Sequence, residues 1–244
     1  MTIRWLPTID STNSEVLRHP EDYPSGTVLA ACEQTAGRGQ RGNTWFTEPG
    51  KNLTFSIVLK FPQGHLPAAQ AHWLNYLMSY AVSAFLEENG VRPMVKWPND
   101  VYVNRRKICG MLIENTLQGA DVATSVIGVG VNINQKAFPQ LANATSLTLC
   151  TGREYALEPA LERLAALFED NLPLLFDKER RGSLFEAYSA LLFQKGVEAR
   201  YHDLLTGEEF SGVIEGVEAD GRLRIREGGN RLRFYRFKEV SYIL

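Results

Sequence analysis

Residues 34–45, Gln34-Thr35-Ala36-Gly37-Arg38-Gly39-Gln40-Arg41-Gly42-Asn43-Thr44-Trp45, put three glycines, two arginines and an indole into one short stretch. Glycine lets a backbone adopt positive φ and approach a ligand closely, and guanidinium forks suit carboxylate and phosphate. Gly37, Gly39 and Gly42 spell G-x-G-x-x-G, but the dinucleotide version of that pattern opens a helix. Here the stretch runs into Trp45-Phe46, the turn Glu48-Pro49-Gly50 and the strand-like Leu53-Thr54-Phe55-Ser56-Ile57-Val58-Leu59. The reading is therefore a loop between two strands that can fold over an anion, and a doubly wound dinucleotide fold is set aside.

The flanking sequence predicts an α+β chain. Thr27 to Glu33 reads as the strand before the loop and Asn52 to Lys60 as the strand after it. Thr12-Asn13-Ser14-Glu15 fits a capping box opening a short helix that Pro20 stops. Pro67 to Asn89 has a helical period, with Trp73, Leu77, Tyr80 and Ala84 along one face. Short strands are expected at Met94 to Trp97, Val101 to Val103 and Lys107 to Asn115, with a turn at Asn104-Arg105, and a β-branched strand at Val122 to Val131. From Glu158 to about Leu192 the period is helical again, interrupted at Pro173. After Gln194-Lys195-Gly196 short alternating segments separated by Thr206-Gly207, Asp220-Gly221 and Gly228-Gly229-Asn230 predict a small β-barrel. The expected division is a mixed-sheet α+β domain over residues 1–194 and a barrel over 195–244.

With 244 residues, 44% hydrophobic content and a net charge of −2, the chain can bury a core and carries no basic field for nonspecific nucleic-acid binding. DNA is not an expected partner. Met1-Thr2-Ile3-Arg4-Trp5 lacks the apolar run of a signal peptide, and no stretch reaches the ~20 apolar residues of a membrane span, so the cytoplasm is expected and a membrane is not. Cys32, Cys109 and Cys150 have neither disulfide nor metal spacing and are expected as reduced core thiols.

A second motif block follows the loop: Lys96-Trp97-Pro98-Asn99-Asp100, then Arg105-Arg106-Lys107-Ile108-Cys109-Gly110. Together with Ser11-Thr12-Asn13 and the G-R-G loop, in this order and spacing, the sequence resembles the biotin protein ligases over nearly its whole length. The resemblance implies a catalytic domain of the biotin/lipoate ligase type, related to class II aminoacyl-tRNA synthetases, followed by a Src-homology-like barrel. It implies ATP and Mg²⁺ as co-substrate and activator, biotin as substrate, no tightly bound cofactor, and the biotin carboxyl carrier domain of a carboxylase as partner. A monomer or homodimer is expected. Because the matching segments begin almost at residue 1, a monofunctional enzyme is expected, without the amino-terminal DNA-binding domain of the repressor members.

Residue by residue, Lys107 matches the essential lysine of R-K-x-x-G and Arg38 the first arginine of the loop, the two candidate catalytic cations. Ser11, Thr12, Asn13 and Gln34 match the biotin-lining positions, with Gly37, Arg38, Gly39, Lys107 and the backbone near Gly110 closing that end. Trp45 and Asn132 match nucleotide-binding positions, and Arg41, the loop's other guanidinium, is the remaining nucleotide-binding candidate. Asp100 either orients Lys107 or holds Mg²⁺ on the ATP phosphates, and Asn99-Asp100 also reads as a plain turn. Ser11 to Asn13 also read as a plain helix cap. Gln40 and Asn43 stand where many members carry arginine, leaving open whether Arg41 takes over a phosphate contact. A lipoate or octanoate ligase or transferase, and a noncatalytic biotin-binding module, are the competing readings; Lys96 to Asp100 with the full G-R-G loop favours biotin.

Three glycines among residues 35–43 give the loop little intrinsic order, and fixing it costs about 1–2 kcal/mol per residue. Trypsin is expected to cleave after Arg38 or Arg41 rapidly without ligand and slowly with biotin present. Equal cleavage in both states would remove the closing loop.

Overall fold

The computed structural model describes residues 1–139, 141, 143–177 and 179–243, with the Arg41 side chain outside that description. Seven strands form one sheet: β1 (Thr2–Ile9), β2 (Thr27–Gln34), β3 (Leu53–Lys60), β4 (Pro93–Lys96), β5 (Asp100–Val103), β6 (Arg106–Gln118) and β7 (Asp121–Val131). Their spatial order is β1-β2-β3-β7-β6-β5-β4. β1 and β2 pair in parallel, joined through helix α1 (Thr12–Arg18), as a parallel pair needs a crossover. The other neighbours pair antiparallel, so the sheet is mixed and the chain α+β.

Helices α2 (His72–Glu88), α4 (Leu157–Asn171) and α5 (Arg181–Ala190) join the large core, and Phe55, Ile57, Val129 and Val131 are among the strand residues they bury. α2 buries Trp73, Leu74, Tyr76, Leu77, Met78, Ala81 and Phe85, more than the single stripe its period predicts. The reason is its position: α2 touches both α4 and α5 as well as β4, β5 and β6. On the other side of the sheet α1 contributes Val16 to a small second cluster with Tyr23, Leu29, Val58 and Val126. β3, apolar on alternate positions to one cluster and then the other, is buried through residues 53–59.

Two expectations need correction. The carboxy-terminal strands β8 (Glu198–Asp203), β9 (Glu209–Val217), β10 (Leu223–Glu227), β11 (Leu232–Tyr235) and β12 (Val240–Ile243) form an open antiparallel sheet in the order β11-β10-β9-β8-β12, not a closed barrel. Closure requires long, tilted strands in matched register. Here the two edge strands have four residues each and do not pair with one another among the described residues. The cysteines are free, but only Cys109 is buried; Cys150 is half-buried and Cys32 is exposed near the end of β2. Strands β1 and β12 and the short helix α3 (Leu147–Thr151) carry no strong periodic signal and were not expected.

α4 packs its Leu161, Leu164, Ala165 and Phe168 inward and presents Arg163 to the surface, where it pairs with Glu88. Leu164→Ala is expected to lower unfolding free energy by about 2–5 kcal/mol in urea titration. Arg163→Ala is expected to leave the midpoint at the parental value, because an exposed ion pair is screened by water.

Candidate active site

The cavity lies on the α1 side of the sheet, where three strand positions carry no side chain. Gly110 on β6 is paired with Gly130 on β7, and Leu112 with Gly128. A Cβ on Gly130 would fall inside the Trp45 indole, and one on Gly128 inside the Asn13 amide. A Cβ on Gly110 would stand 3.0 Å from Lys107 Cε and 3.1 Å from the Trp45 ring. These glycines therefore form a bare floor on which Asn13, Trp45 and Lys107 can rest, the close backbone approach that glycine in a strand permits.

At one end of this floor sits a buried polar cluster. Ser11 caps α1, its hydroxyl accepting from the Ser14 N–H at 3.4 Å, so the helix starts one residue earlier than the capping box suggests. Thr12 donates its N–H to Gln34 Oε1 at 2.8 Å. Asn13 Nδ2 donates to Leu112 O (3.1 Å) and to Glu114 Oε2 (2.9 Å), and its Oδ1 accepts from Ser56 Oγ at 2.6 Å. Ser11, Thr12 and Asn13 are each 3% exposed. Polar groups so deeply buried must be bonded, and the cluster holds its amide and hydroxyl groups in fixed directions.

Lys107 stands at the other end, and its orientation has a local cause. β5 and β6 are joined by Asn104 (φ 50°) and Arg105 (φ 62°), two residues in the left-handed region that a tight hairpin uses. The register then slips: Val101 pairs with Cys109 but Tyr102 with Lys107, so Ile108 is an extra residue. This bulge breaks the alternation and brings Lys107 onto the same face as Gly110. Lys107 N donates to Asn143 O and its O accepts from Thr145 N, fixing the strand from its other side. Lys107 Nζ lies 2.7 Å from Asp100 Oδ1 and 5.6 Å from the Trp45 ring centroid. Both partners of the pair are 22% exposed.

The glycine loop closes the cavity from above by folding on itself: Gly39 N donates to Asn43 O and Trp45 N to Gly37 O. Arg38 reaches across to Glu114, with 2.7 and 3.1 Å contacts, and to Ser14 Oγ at 3.2 Å. Ser11, Thr12, Asn13, Gln34, Arg38, Gly39, Trp45, Asp100, Lys107 and Gly110 thus line one cavity of about 300 Å³. Gly37 lies behind the lining against the Trp45 carbonyl. Asn132 is not part of the lining either; it is 2% exposed and donates to Thr145 O, tying the end of β7 to the segment before α3. The Arg41 side chain lies outside the described residues.

Several lining or supporting residues carry no role in the sequence reading. Ser56 and Glu114 orient Asn13, and nothing marks them but their place on strands facing the cavity. Lys96 belongs to the motif block, yet a lysine before Trp-Pro reads only as part of a strand. Phe237, Lys238 and Tyr242 come from the last strand and the turn before it, where no motif exists. Asn99 Nδ2 donates to Met111 O and the Trp97–Pro98 peptide is cis.

Fold and site define an α+β protein with one cavity that runs from an amide-lined end to a cationic end. The Biotin/lipoate A/B protein ligase family model matches residues 5–132. The bifunctional ligase/repressor BirA of Escherichia coli is 31% identical over 229 residues, covering 92% of this chain and 69% of that one. The biotin–[acetyl-CoA-carboxylase] ligase of Paracoccus denitrificans is 36% identical over 128 residues, 52% of this chain and 53% of that one. The biotin protein ligase of Aquifex aeolicus, solved with biotin and ATP, superposes with a TM-score of 0.81 at 25% identity, covering 98% and 97% of the two chains. The chain belongs to the biotin/lipoate A/B protein ligase family.

Gly130→Ala is expected to expel the Trp45 ring from the floor. Acrylamide quenching of tryptophan fluorescence should rise in this variant, and the rise should vanish when Trp45→Phe is added. Unchanged quenching would mean that the ring does not depend on the bare strand.

Proposed function

We infer that the protein is a biotin–protein ligase: it activates biotin as biotinyl-5′-AMP with ATP and transfers the acyl group to a lysine of a biotin carboxyl carrier domain. The observation that carries this reading is the single cavity joining a fixed amide and hydroxyl cluster to Lys107, in a chain of the same extent and fold as a ligase solved with biotin and ATP.

Biotin's ureido group both donates and accepts hydrogen bonds, and we assign it to the buried end lined by Ser11, Thr12, Asn13 and Gln34. Its bicycle then lies along the glycine floor, with its carboxylate toward Lys107. In the first step a carboxylate oxygen attacks the α-phosphorus, the bond to the bridging oxygen breaks and diphosphate leaves. In the second the carrier lysine amine attacks the acyl carbon, AMP leaves with the bonding pair, and the amine gives up a proton. Two anions must meet in the first step, so the site must supply fixed positive charge there. Lys107 supplies it directly, oriented by Asp100.

Arg38 is the second cation. Its pair with Glu114 is partly exposed, 43% and 25% for the two side chains. Such pairs contribute about 0–1 kcal/mol, so a carboxylate or phosphate in the cavity can displace Glu114. Trp45 is assigned to the nucleotide base; its Nε1 is buried without an acceptor, which a ligand or a ring movement would relieve. Asn132 is assigned to the nucleotide by family resemblance, as a residue that shapes the site from behind, and Arg41 as the second guanidinium of the loop. Asp100 is the only carboxylate lining the cavity among the described residues. One carboxylate plus phosphate oxygens is a usual magnesium environment, so Asp100 would hold Mg²⁺ on ATP, where the ion would neutralise phosphate charge.

We divide the chain into a catalytic unit of residues 1–194 and a second unit of residues 195–244, and place the activity in the cytoplasm, where ATP is available. Lys107→Ala is expected to slow single-turnover formation of biotinyl-AMP by roughly 10²–10³ and to change biotin affinity far less, since its charge acts chiefly where carboxylate meets phosphate. The wild-type protein should form an acyl-adenylate from biotin and not from lipoate. An adenylate from lipoate alone would overturn the substrate assignment.

A further inference from the structure

The cavity contains a second lysine that the reaction as derived above does not use. Lys96 ends β4, directly opposite Asp100 in the register of β4 and β5. Asp100 nevertheless pairs with Lys107, and Lys96 forms no ion pair among the described residues. Its Nζ donates to Tyr102 Oη at 3.3 Å and lies 5.2 Å from the Tyr102 ring centroid and 5.0 Å from that of Tyr242. One ring comes from β5 and the other from β12, the last strand of the chain. Burial lowers the pKa of this ammonium below the ordinary lysine value, an effect that Asp100 opposes and Lys107 reinforces.

An ammonium has three donors. Here one meets a tyrosine oxygen and the two rings offer only their faces. Two cation–π contacts fix the head without replacing the anion that a desolvated cation lacks. The place of Lys96 in the sheet says which anion would reach it. The amide cluster draws on Gln34 of β2 and Ser56 of β3 and reaches Gly128 of β7, the glycine floor is β7 and β6, Lys107 is on β6, and Lys96 is on β4, two strands further in the same direction. At about 4.8 Å per strand, that puts the Lys96 strand roughly 10 Å beyond the strand that carries Lys107. A ligand whose carboxylate and α-phosphate meet at Lys107 would extend its remaining phosphates toward β4. Lys238, on the turn before β12, lines the same wall.

We propose that Lys96 binds the diphosphate portion of the nucleotide, the leaving group of the first step, and that Tyr242 is its positioning residue, so that the carboxy-terminal sheet governs nucleotide use. The proposal deepens the ligase reading and rests on ATP being the co-substrate.

The test measures biotinyl-AMP formation at varied ATP, with inorganic diphosphate and AMP as separate inhibitors, and biotin affinity without nucleotide. Lys96→Met should lower kcat/KM for ATP by roughly 10², weaken inhibition by diphosphate and leave inhibition by AMP and biotin affinity unchanged. Lys96→Arg should restore part of the loss, since it returns the charge. Tyr242→Leu should raise KM for ATP and weaken diphosphate inhibition in the same way, and Tyr242→Phe, which keeps the ring, should restore what Tyr242→Leu removes. ATP kinetics unaltered in Lys96→Met, or equal weakening of AMP and diphosphate inhibition, would overturn the assignment. Should Lys96→Met fail to fold, the Tyr242 pair decides: equal defects in Leu and Phe variants would refute positioning by the ring. A wild-type protein that forms no biotinyl-AMP would instead refute the reading on which the proposal rests.

Discussion

A strip of sheet without side chains is the constraint on which the site depends. Across β6 and β7 the neighbours of Gly110, Gly128 and Gly130 are Met111, Leu112, Ile127, Val129 and Val131, which fill the space above or below the sheet. Only at the three glycines can an indole and an amide lie against the backbone. Interior strand glycine weakens a sheet and has no side chain to pack. Those positions are held instead by the strands on either side: β7 is hydrogen-bonded along its length to both β3 and β6. The most secure part of the sheet thus carries its least shielded surface.

Charge in the cavity is arranged by the same economy of partners. Four cations, Arg38, Lys96, Lys107 and Lys238, line it together with one carboxylate, Asp100. Two of the four have carboxylates: Lys107 has Asp100, and Arg38 has Glu114 just outside the lining. An excess of positive charge in a partly buried cleft raises the local concentration of anions and strengthens their binding once water is displaced. Arg38 stands on the loop and can change partner. Lys107 cannot swing far, since its strand is fixed on both sides by Tyr102 and by the segment at 143–145. The rigid cation sits where bonds are exchanged and the movable one where the cavity opens.

Much of this was readable before any coordinates. The loop between β2 and β3, the tight Asn104-Arg105 turn, the buried side of α4 and the alternation in Gly128-Val129-Gly130 all follow from local rules of period, turn chemistry and glycine placement. Ser11 as a lining residue and Lys107 as cavity cation were reached through motif resemblance, and both line the cavity. What local rules missed shares one cause, which is that it depends on pairing across the chain. β1 is recognisable only through its parallel partner β2, and β12 only through β8. The bulge at Ile108 is a property of two strands together. Ser56 and Glu114 matter because they face Asn13 from strands more than 40 and 100 residues away. The barrel expected at the end of the chain failed for the complementary reason: its strands were found, but whether a sheet closes is decided by its edges.

The same pairing logic explains how the last residues of the chain come to line a cavity begun near the first. Phe193 N donates to Val95 O and Val95 N to Leu191 O, so the segment leaving α5 is stitched onto β4. Lys195 then bridges to Ile214 on β9, and Trp97 Nε1 donates to Gly221 O in the β9–β10 turn. One of these contacts joins the motif block to the second sheet directly, and the others stitch the connecting segment to β4 and to β9, which leaves little freedom for a swinging attachment. They also set a direction. β4 and the Trp97–Asp100 turn are anchored from the outside by the carboxy-terminal sheet and from the inside by Asn75 and Tyr188, both of which donate to Pro98 O. A displacement of the second sheet must therefore be felt at Pro98 to Asp100, and through Asp100 at Lys107, before it reaches any residue of the buried amide end.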